Sequence, residues 1–439
     1  MNSEYIKNPT GCKCGKSHLS EIKNIVTGKG VIKRLPEELQ GLGVKKAFIL
    51  SDINEYNAAG EKVAEILQAA GMEYSKYIFN EKQLEPDEYA VGSAVMHFDH
   101  SCDAVVAVGS GVINDIGKIL AKTAGKNYII VATAPSMDGY ASATSSMSLD
   151  GLKVSVNSRC ADVIIGDTDI LKNAPLHMLK AGLGDMLAKY VSICEWRIAN
   201  LITGEYYCEE VAALVRSALK KCTDNAVGLL NRDEEAVEAV FEGLVICGVA
   251  MAYAGISRPA SGIEHYFSHI WDMRGLEFGT TVDLHGIQCA YGTLLAIKLY
   301  EQFKNMHFDE EKAIKYVNGF DFGKWSKELK SFLGKGADAM IIQEEKDGKY
   351  NSEKHRDRLD IILKNRDKIL EIIDDELPDI EEIKHLFDVL GLPDSCDKLG
   401  IDKNILPMTF KATKDIRDKY VFSRLAWDLG IIDEFDLTD

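Results

Sequence analysis

Residues 103–118 read DAVVAVGSGVINDIGK, and this stretch sets the class of fold. Asp103–Val108 is an apolar run of strand length. Gly109-Ser110-Gly111 then opens a helical pattern over Ile113–Thr123. A strand that passes through glycines into a helix turns its backbone amides and the helix N-terminus toward any phosphate placed there. Working outward, Lys46–Asp52 reads as a buried strand ending in a carboxylate, Ala58–Ala70 as a helix and Tyr74–Phe79 as a strand. Glu88–Phe98 reads as a helix and Tyr128–Ala132 as a further strand. Strand and helix in alternation imply a parallel sheet covered by helices. The glycine turn follows the third of these strands, whereas the common dinucleotide fingerprint follows the first. Asp52, at the end of the first, could bind the hydroxyls of an adenosine ribose or could simply form a strand-end turn.

Past Pro175 long helical patterns take over: His177–Ala199, Tyr206–Leu230, Asp233–Ala254, Gly262–Met273 and Gly286–Phe303. The reading is an α/β domain over residues 1–175 followed by a helical domain over 176–439. The charge-rich stretch 337–376 keeps helical apolar spacing and is expected to be a solvated helical hairpin.

A formal net charge of −17 argues against nucleic acid or an anionic membrane as partner, though a local basic cluster can still hold a small anion. No leader-like segment and no apolar run of spanning length is visible, and the ten cysteines are scattered, as in a reduced cytoplasmic protein. Cys12, Cys14 and His18, spaced C-x-C-G-x-x-H, stand apart from that pattern. They offer three donors to a soft metal, one short of a structural zinc set.

The chemistry concentrates in SRPASGIEHYFSHIWDMRGLEFGTTVDLHG, residues 257–286. His265 and His269 share a helix face, and His285 follows, capped by Gly286. Any one of these could be a hydrogen-bonded core histidine; three together point to a metal or catalytic site. Asp185, in GLGDMLAKY, is a carboxylate amid apolar residues, where a metal would neutralise it or Lys189 would pair with it. The loop TAPSMDGYAS, 133–142, follows a strand at the end where α/β sheets bind ligands, though its residues also suit a plain turn.

GSGVINDIGK, TAPSMDGYAS, GLGDMLAKY, SRPASGIEHYFSH and DLHG, in this order, resemble the sn-glycerol-1-phosphate dehydrogenases. These belong to the superfamily of dehydroquinate synthases, glycerol dehydrogenases and iron-containing alcohol dehydrogenases. ATKDIRDKYVFSRLAWDLG, 412–430, is similar to the family's closing segment. The resemblance implies a dehydroquinate synthase-like fold, with a Rossmann-like N-terminal domain and an all-α C-terminal domain. It implies Asp185, His265 and His285 as ligands of one divalent metal, zinc or nickel. Asp138 and His269 match substrate contacts, Asp185 touches substrate as well, and Asp52 matches the ribose contact. Gly109, Gly111, Val112, Ile113, Asn114 and Asp115 match the phosphate turn. Thr133, Ala134, Pro135, Ser136 and Ser142 match the nicotinamide side. Ser110 replaces the middle glycine of the superfamily's G-G-G, and Lys189 stands where iron-type enzymes place a fourth ligand, His. The activity so implied is reduction of dihydroxyacetone phosphate by NAD(H), with NADP(H) as the alternative cofactor. A small phosphorylated substrate and a homo-oligomer are expected; the competing activity is a polyol dehydrogenase acting on an unphosphorylated substrate. Arg258, Arg417 and Lys419 are the cations available to a phosphate.

Overall fold

The computed structural model describes residues 12–81, 84–149 and 152–437. Its α/β part runs β1 (Asn24–Gly28), α1 (Leu35–Gly41), β2 (Lys46–Asp52), α2 (Ile53–Glu55), α3 (Glu61–Ala69), β3 (Glu73–Phe79) and α4 (Glu88–His97). It continues with β4 (Ala104–Gly109), α5 (Gly111–Ala124), β5 (Asn127–Ala132), β6 (Thr144–Leu149), β7 (Leu152–Asn157), β8 (Val163–Asp167) and α6 (Thr168–Leu171). Six strands form a parallel sheet in the order β1-β8-β5-β4-β2-β3, and β6 and β7 form a separate antiparallel hairpin. Ala104 through Val108 are fully buried. A strand covered on both faces has no polar side, which is why β4 reads as an unbroken apolar run.

Two strands and the hairpin were not visible in the sequence. β1 is only five residues long and lies between lysines and glycines, and β8 sits beside the last turns before Pro175. With β1 counted, the glycine turn follows the fourth strand, not the third, and Asp52 ends the second.

The helices that follow are α7 (Leu176–Thr203), α8 (Glu209–Asp224), α9 (Glu234–Ala254), α10 (Ile263–Phe278) and α11 (His285–Lys304). Next come α12 (Glu310–Asn318), α13 (Phe322–Leu333), α14 (Gly336–Asp347), α15 (Ser352–Lys364) and α16 (Arg366–Glu376). The chain closes with α17 (Ile380–Leu390), α18 (Cys396–Leu399), α19 (Leu406–Thr413) and α20 (Phe422–Asp428). The stretch 337–376 is therefore three helices rather than a hairpin, broken at Gly348 and at Asn365.

By internal contacts the chain forms two compact units, Met1–Met186 with Glu210–Ile256, and Leu187–Glu209 with Ser257–Asp439. Helices α8 and α9 thus group with the sheet. Among the described residues α9 is the one helix long and apolar enough to cross a bilayer, with hydropathy 1.7, but 78% of that window is buried inside the protein. Phe241 of α9 lies against the sheet at Gly166, where an added Cβ would stand 2.0 Å from its ring. In the second unit a buried ionic cluster anchors the closing segment. Arg424 donates to Glu344 and Asp415, each at 2.8–2.9 Å, and Trp325 Nε1 reaches Asp415 at 2.6 Å.

Candidate active site

The carboxyl ends of β2, β4 and β5 lie side by side in the first unit, and one side chain ties them together. Asp52 caps α2, its Oδ1 accepting the Glu55 N–H at 2.8 Å. That cap sends Glu55 back over the glycine turn, where Ser110 Oγ donates to Glu55 Oε1 at 2.7 Å and Thr133 Oγ1 donates to Oε2. Ser110, the departure from three glycines, therefore has a partner. Desolvation pushes the Glu55 carboxyl up to about 7, against the two hydroxyl donors and with a small push from Asp52. Sequence reasoning missed Glu55 because its distance from the turn is set by the sheet, not by the chain.

The turn itself suits a phosphate. A Cβ on Gly109 would meet Ile113 at 2.6 Å and Glu55 Oε2 at 3.0 Å, so only glycine passes there. The bonding of α5 begins with Asn114 N–H to Ser110 O, leaving the Gly111, Val112 and Ile113 amides at the helix mouth. Beyond those amides the predicted set divides. The side chain of Ile113 is buried in the core, while Asn114 donates to Gly139 O at 3.2 Å. Asp115 accepts from Ser146 N and faces Lys118, whose buried ammonium donates to Gly139 O at 2.6 Å. Asn114 thus braces the 138–141 turn with its side chain, and Asp115 does so through Lys118.

In the loop after β5, Ala134 O accepts from Tyr140 OH at 2.6 Å. Pro135 O leaves no room for a Cβ at Gly182, only 1.8 Å away, which brings α7 against the loop. Ser136 is buried, and Ser142 shares a 2.9 Å hydrogen bond with Thr144. Asp138 N–H donates to Oδ2 of Asp185 at 2.9 Å, and Asp185 is fully buried. These two substrate- and metal-matched residues are neighbours.

In the second unit α10 and α11 bring the three histidines together. Ring centroids are 5.0 Å apart for His265–His285, 5.9 Å for His269–His285 and 6.4 Å for His265–His269. The approach needs Gly292, where a Cβ would stand 2.5 Å from the Glu264 carbonyl oxygen. His265 Nδ1 lies 2.8 Å from Glu264 Oε1, and His285 Nδ1 lies 3.0 Å from Ser268 Oγ. Nδ1 held in this way on each ring is the arrangement expected around imidazoles that ligate through Nε2. Cys289 adds a third donor, with ligand atoms of His265, His285 and Cys289 all within 4.8 Å of one another. The donor set, with His265 and Cys289 buried and His285 half-buried, fits a divalent ion that prefers imidazole. Ser268 and Cys289 were not identified from the sequence; helical spacing from the histidines was the available signal.

His269 is partly buried, and desolvation, then Arg417 and the other two histidines, hold its pKa well below the ordinary value. Lys419 is buried, donating to Ser261 O at 2.7 Å and Ser257 O at 3.3 Å; desolvation and then Arg258 and Arg417 push its pKa down to about 7. Arg258 is committed elsewhere, with Nε and Nη2 each 2.6 Å from the Glu205 carboxylate and Nη1 on Tyr420 O. Lys189, at the position of the fourth ligand in iron-type enzymes, is buried and donates to Ala260 O at 3.0 Å.

The glycine turn at the sheet's carboxyl edge and the anchored histidine pair are those of a metal-dependent dehydrogenase. A family profile described as iron-containing alcohol dehydrogenase matches residues 26–175. The fold matches that of a glycerol dehydrogenase from Schizosaccharomyces pombe, with TM-score 0.61 and 17% identity over 94% of this chain and 89% of that one. The sequence is 31% identical to a glycerol-1-phosphate dehydrogenase [NAD(P)+] of Halalkalibacterium halodurans, over 87% of this chain and 86% of the relative. It is 31% identical to one from Methanosarcina mazei, over 63% of this chain and 76% of the relative. The chain belongs to the glycerol-1-phosphate dehydrogenase family and is an NAD(P)-dependent dehydrogenase.

Proposed function

We propose that this enzyme reduces the C2 carbonyl of dihydroxyacetone phosphate with NAD(H) in preference to NADP(H), giving sn-glycerol 1-phosphate. In this reading residues 1–175 serve the dinucleotide and 176–439 the metal and substrate, in a homo-oligomer. Asp185, His265 and His285 hold one zinc or nickel ion. The observation that carries the metal assignment is the anchoring of both imidazoles, His265 by Glu264 and His285 by Ser268. When bound, the ion supplies Lewis acidity at the carbonyl oxygen and the reduced nicotinamide supplies the hydride.

The residues of the chain bind, orient and neutralise. The first-turn amides of α5 receive the pyrophosphate, and Asp52 receives the adenosine ribose while its other oxygen caps α2. Thr133 to Ser136 and Ser142 line the nicotinamide. Asp138 and His269 hold substrate hydroxyls. His269 stays uncharged, so it orients the substrate as a neutral imidazole, and the proton that completes the alcohol comes from water. Burial first, and then crowding by Arg258 and Arg417, lowers the pKa of Lys419. A phosphate dianion relieves that crowding and restores the Lys419 charge, which favours a phosphorylated substrate over glycerol-type polyols. Arg417 and Lys419 are the phosphate ligands; Arg258 supports them through Glu205.

The test compares dihydroxyacetone phosphate with dihydroxyacetone in an assay that follows NADH, with chiral analysis of the product. Strong preference for the phosphorylated ketone and a single sn-glycerol 1-phosphate product are expected. Preference for the unphosphorylated ketone overturns the phosphate reading.

A further inference from the structure

The N-terminal cysteines are outside the set assigned above to hydride transfer, and they are built into the first unit. Cys12 and Cys14 bracket a tight turn in which Gly15 N–H donates to Cys12 O at 3.1 Å with Gly15 at φ 78°. Lys16 N–H lies 3.5 Å from Cys14 Sγ, a weak donor toward sulfur. His18 is completely buried although Lys16, Ser17 and Leu19 around it are exposed. Its Nδ1 lies 3.1 Å from Tyr253 O. A carbonyl accepts only, so Nδ1 carries the proton and Nε2 presents a lone pair. That lone pair faces Cys14 Sγ at 3.4 Å. The sulfurs of Cys12 and Cys14 and a His18 ring nitrogen lie within 4.8 Å of one another.

A lone thiol donating to Nε2 would account for the Cys14–His18 contact but not for the second sulfur. A tetrahedral zinc ion accounts for both. Zn–S of about 2.3 Å and Zn–N of about 2.0–2.1 Å place sulfur and nitrogen about 3.6 Å apart, close to the Cys14–His18 separation. The Tyr253 carbonyl is then the outer partner that fixes the histidine tautomer.

We propose that Cys12, Cys14 and His18 bind a structural zinc ion through two sulfurs and one ring nitrogen. On binding, each cysteine gives up its thiol proton to solvent. The ion secures the 12–18 segment to the end of α9, whose carbonyls at Tyr253 and Ala254 accept from His18 and from Lys16 Nζ at 3.5 Å. Last-turn carbonyls of a helix need such partners.

The experiment counts metal per chain in the purified protein. Two equivalents are expected in the wild type. One zinc should survive in the His265→Ala/His285→Ala variant, and when that variant is loaded with cobalt it should show thiolate-to-cobalt charge-transfer absorption. Cys12→Ser/Cys14→Ser should lose one equivalent, melt several degrees lower and keep its kcat. X-ray absorption at the zinc edge of the histidine variant, which needs no cysteine change, should give two sulfur neighbours and one imidazole nitrogen. Complete loss of metal in the histidine variant, full retention in Cys12→Ser/Cys14→Ser, or a Cys12–Cys14 disulfide in the purified protein each overturns the proposal.

Discussion

The main-chain N–H of Asp138 donates to the carboxylate of Asp185 across 2.9 Å, so the loop after β5 is held by the buried acid of α7. Asp185→Asn keeps an oxygen for that N–H but removes the charge a metal needs. We expect Asp185→Asn to melt close to the wild type while losing metal and more activity than the 10–100-fold typical of an outer partner. Asp185→Ala should in addition lose about 1–3 kcal/mol of stability, because the Asp138 N–H is left unpaired. Metal stoichiometry and melting curves on the two variants separate these effects; equal metal content in all three proteins would remove Asp185 from the ligand set.

Glu264 acts through His265. Glu264→Gln should lower metal affinity about 10–100-fold with the substrate KM little changed at saturating metal. Chelator competition reads the affinity directly. An unaltered affinity would mean that the 2.8 Å contact to His265 orients nothing of consequence.

Arg258 and Arg417 should fail differently. Arg258→Ala leaves Glu205 without its two-pronged partner, so it should destabilise the protein and reduce turnover of both ketones alike. Arg417→Ala should cost about 2–5 kcal/mol, at least about 30-fold in kcat/KM, with dihydroxyacetone phosphate and little with dihydroxyacetone. Parallel losses on both substrates in Arg417→Ala would assign it a structural role.

Cofactor binding should depend on pH through Glu55. Its carboxyl, raised to about 7 by burial, is neutral below that pH and anionic above it. An anion beside the glycine turn opposes the pyrophosphate, so NADH should bind more weakly as pH rises through 7. The effect is about 1–2 kcal/mol, or roughly 5–30-fold in Kd. Glu55→Gln should flatten that profile and hold the tight limb. The same sign governs folding: a carboxyl raised from 4.5 binds its proton better when folded, so this contribution to stability falls between about 4.5 and 7. Titrations at three pH values suffice, and a flat wild-type profile would clear Glu55 of the role.

The parts of this fold that announce themselves in sequence are long apolar or amphipathic runs. β4 is apolar throughout because it is buried on both faces, α5 is amphipathic because it is buried on one, and α9 and α11 are long and buried most of the way round. β1 is hidden because five residues carry too little pattern, and its pairing with β8 joins residues far apart in the chain. The site divides likewise. Histidines on helical spacing are readable, whereas Glu55 meets Ser110 and Thr133 only because β2, β4 and β5 are adjacent. Arg258 misleads for a related reason: its place beside the histidines is sequential, while its charge is spent on Glu205.

The hydrogen that stands for a side chain at Gly292 has a consequence for which ions this protein accepts. With a Cβ there 2.5 Å from the Glu264 carbonyl, α10 and α11 would have to separate. His265 follows Glu264 directly and His285 opens α11, so the separation is passed on to the distance between two imidazoles. Gly292 lies two turns from His285, about 10 Å along the helix, and touches no ion, yet it works as a caliper. A methyl group at 292 would widen the jaws and shift preference toward the larger of the imidazole-binding ions, such as ferrous iron, an exchange of ionic radius dictated from outside the coordination sphere.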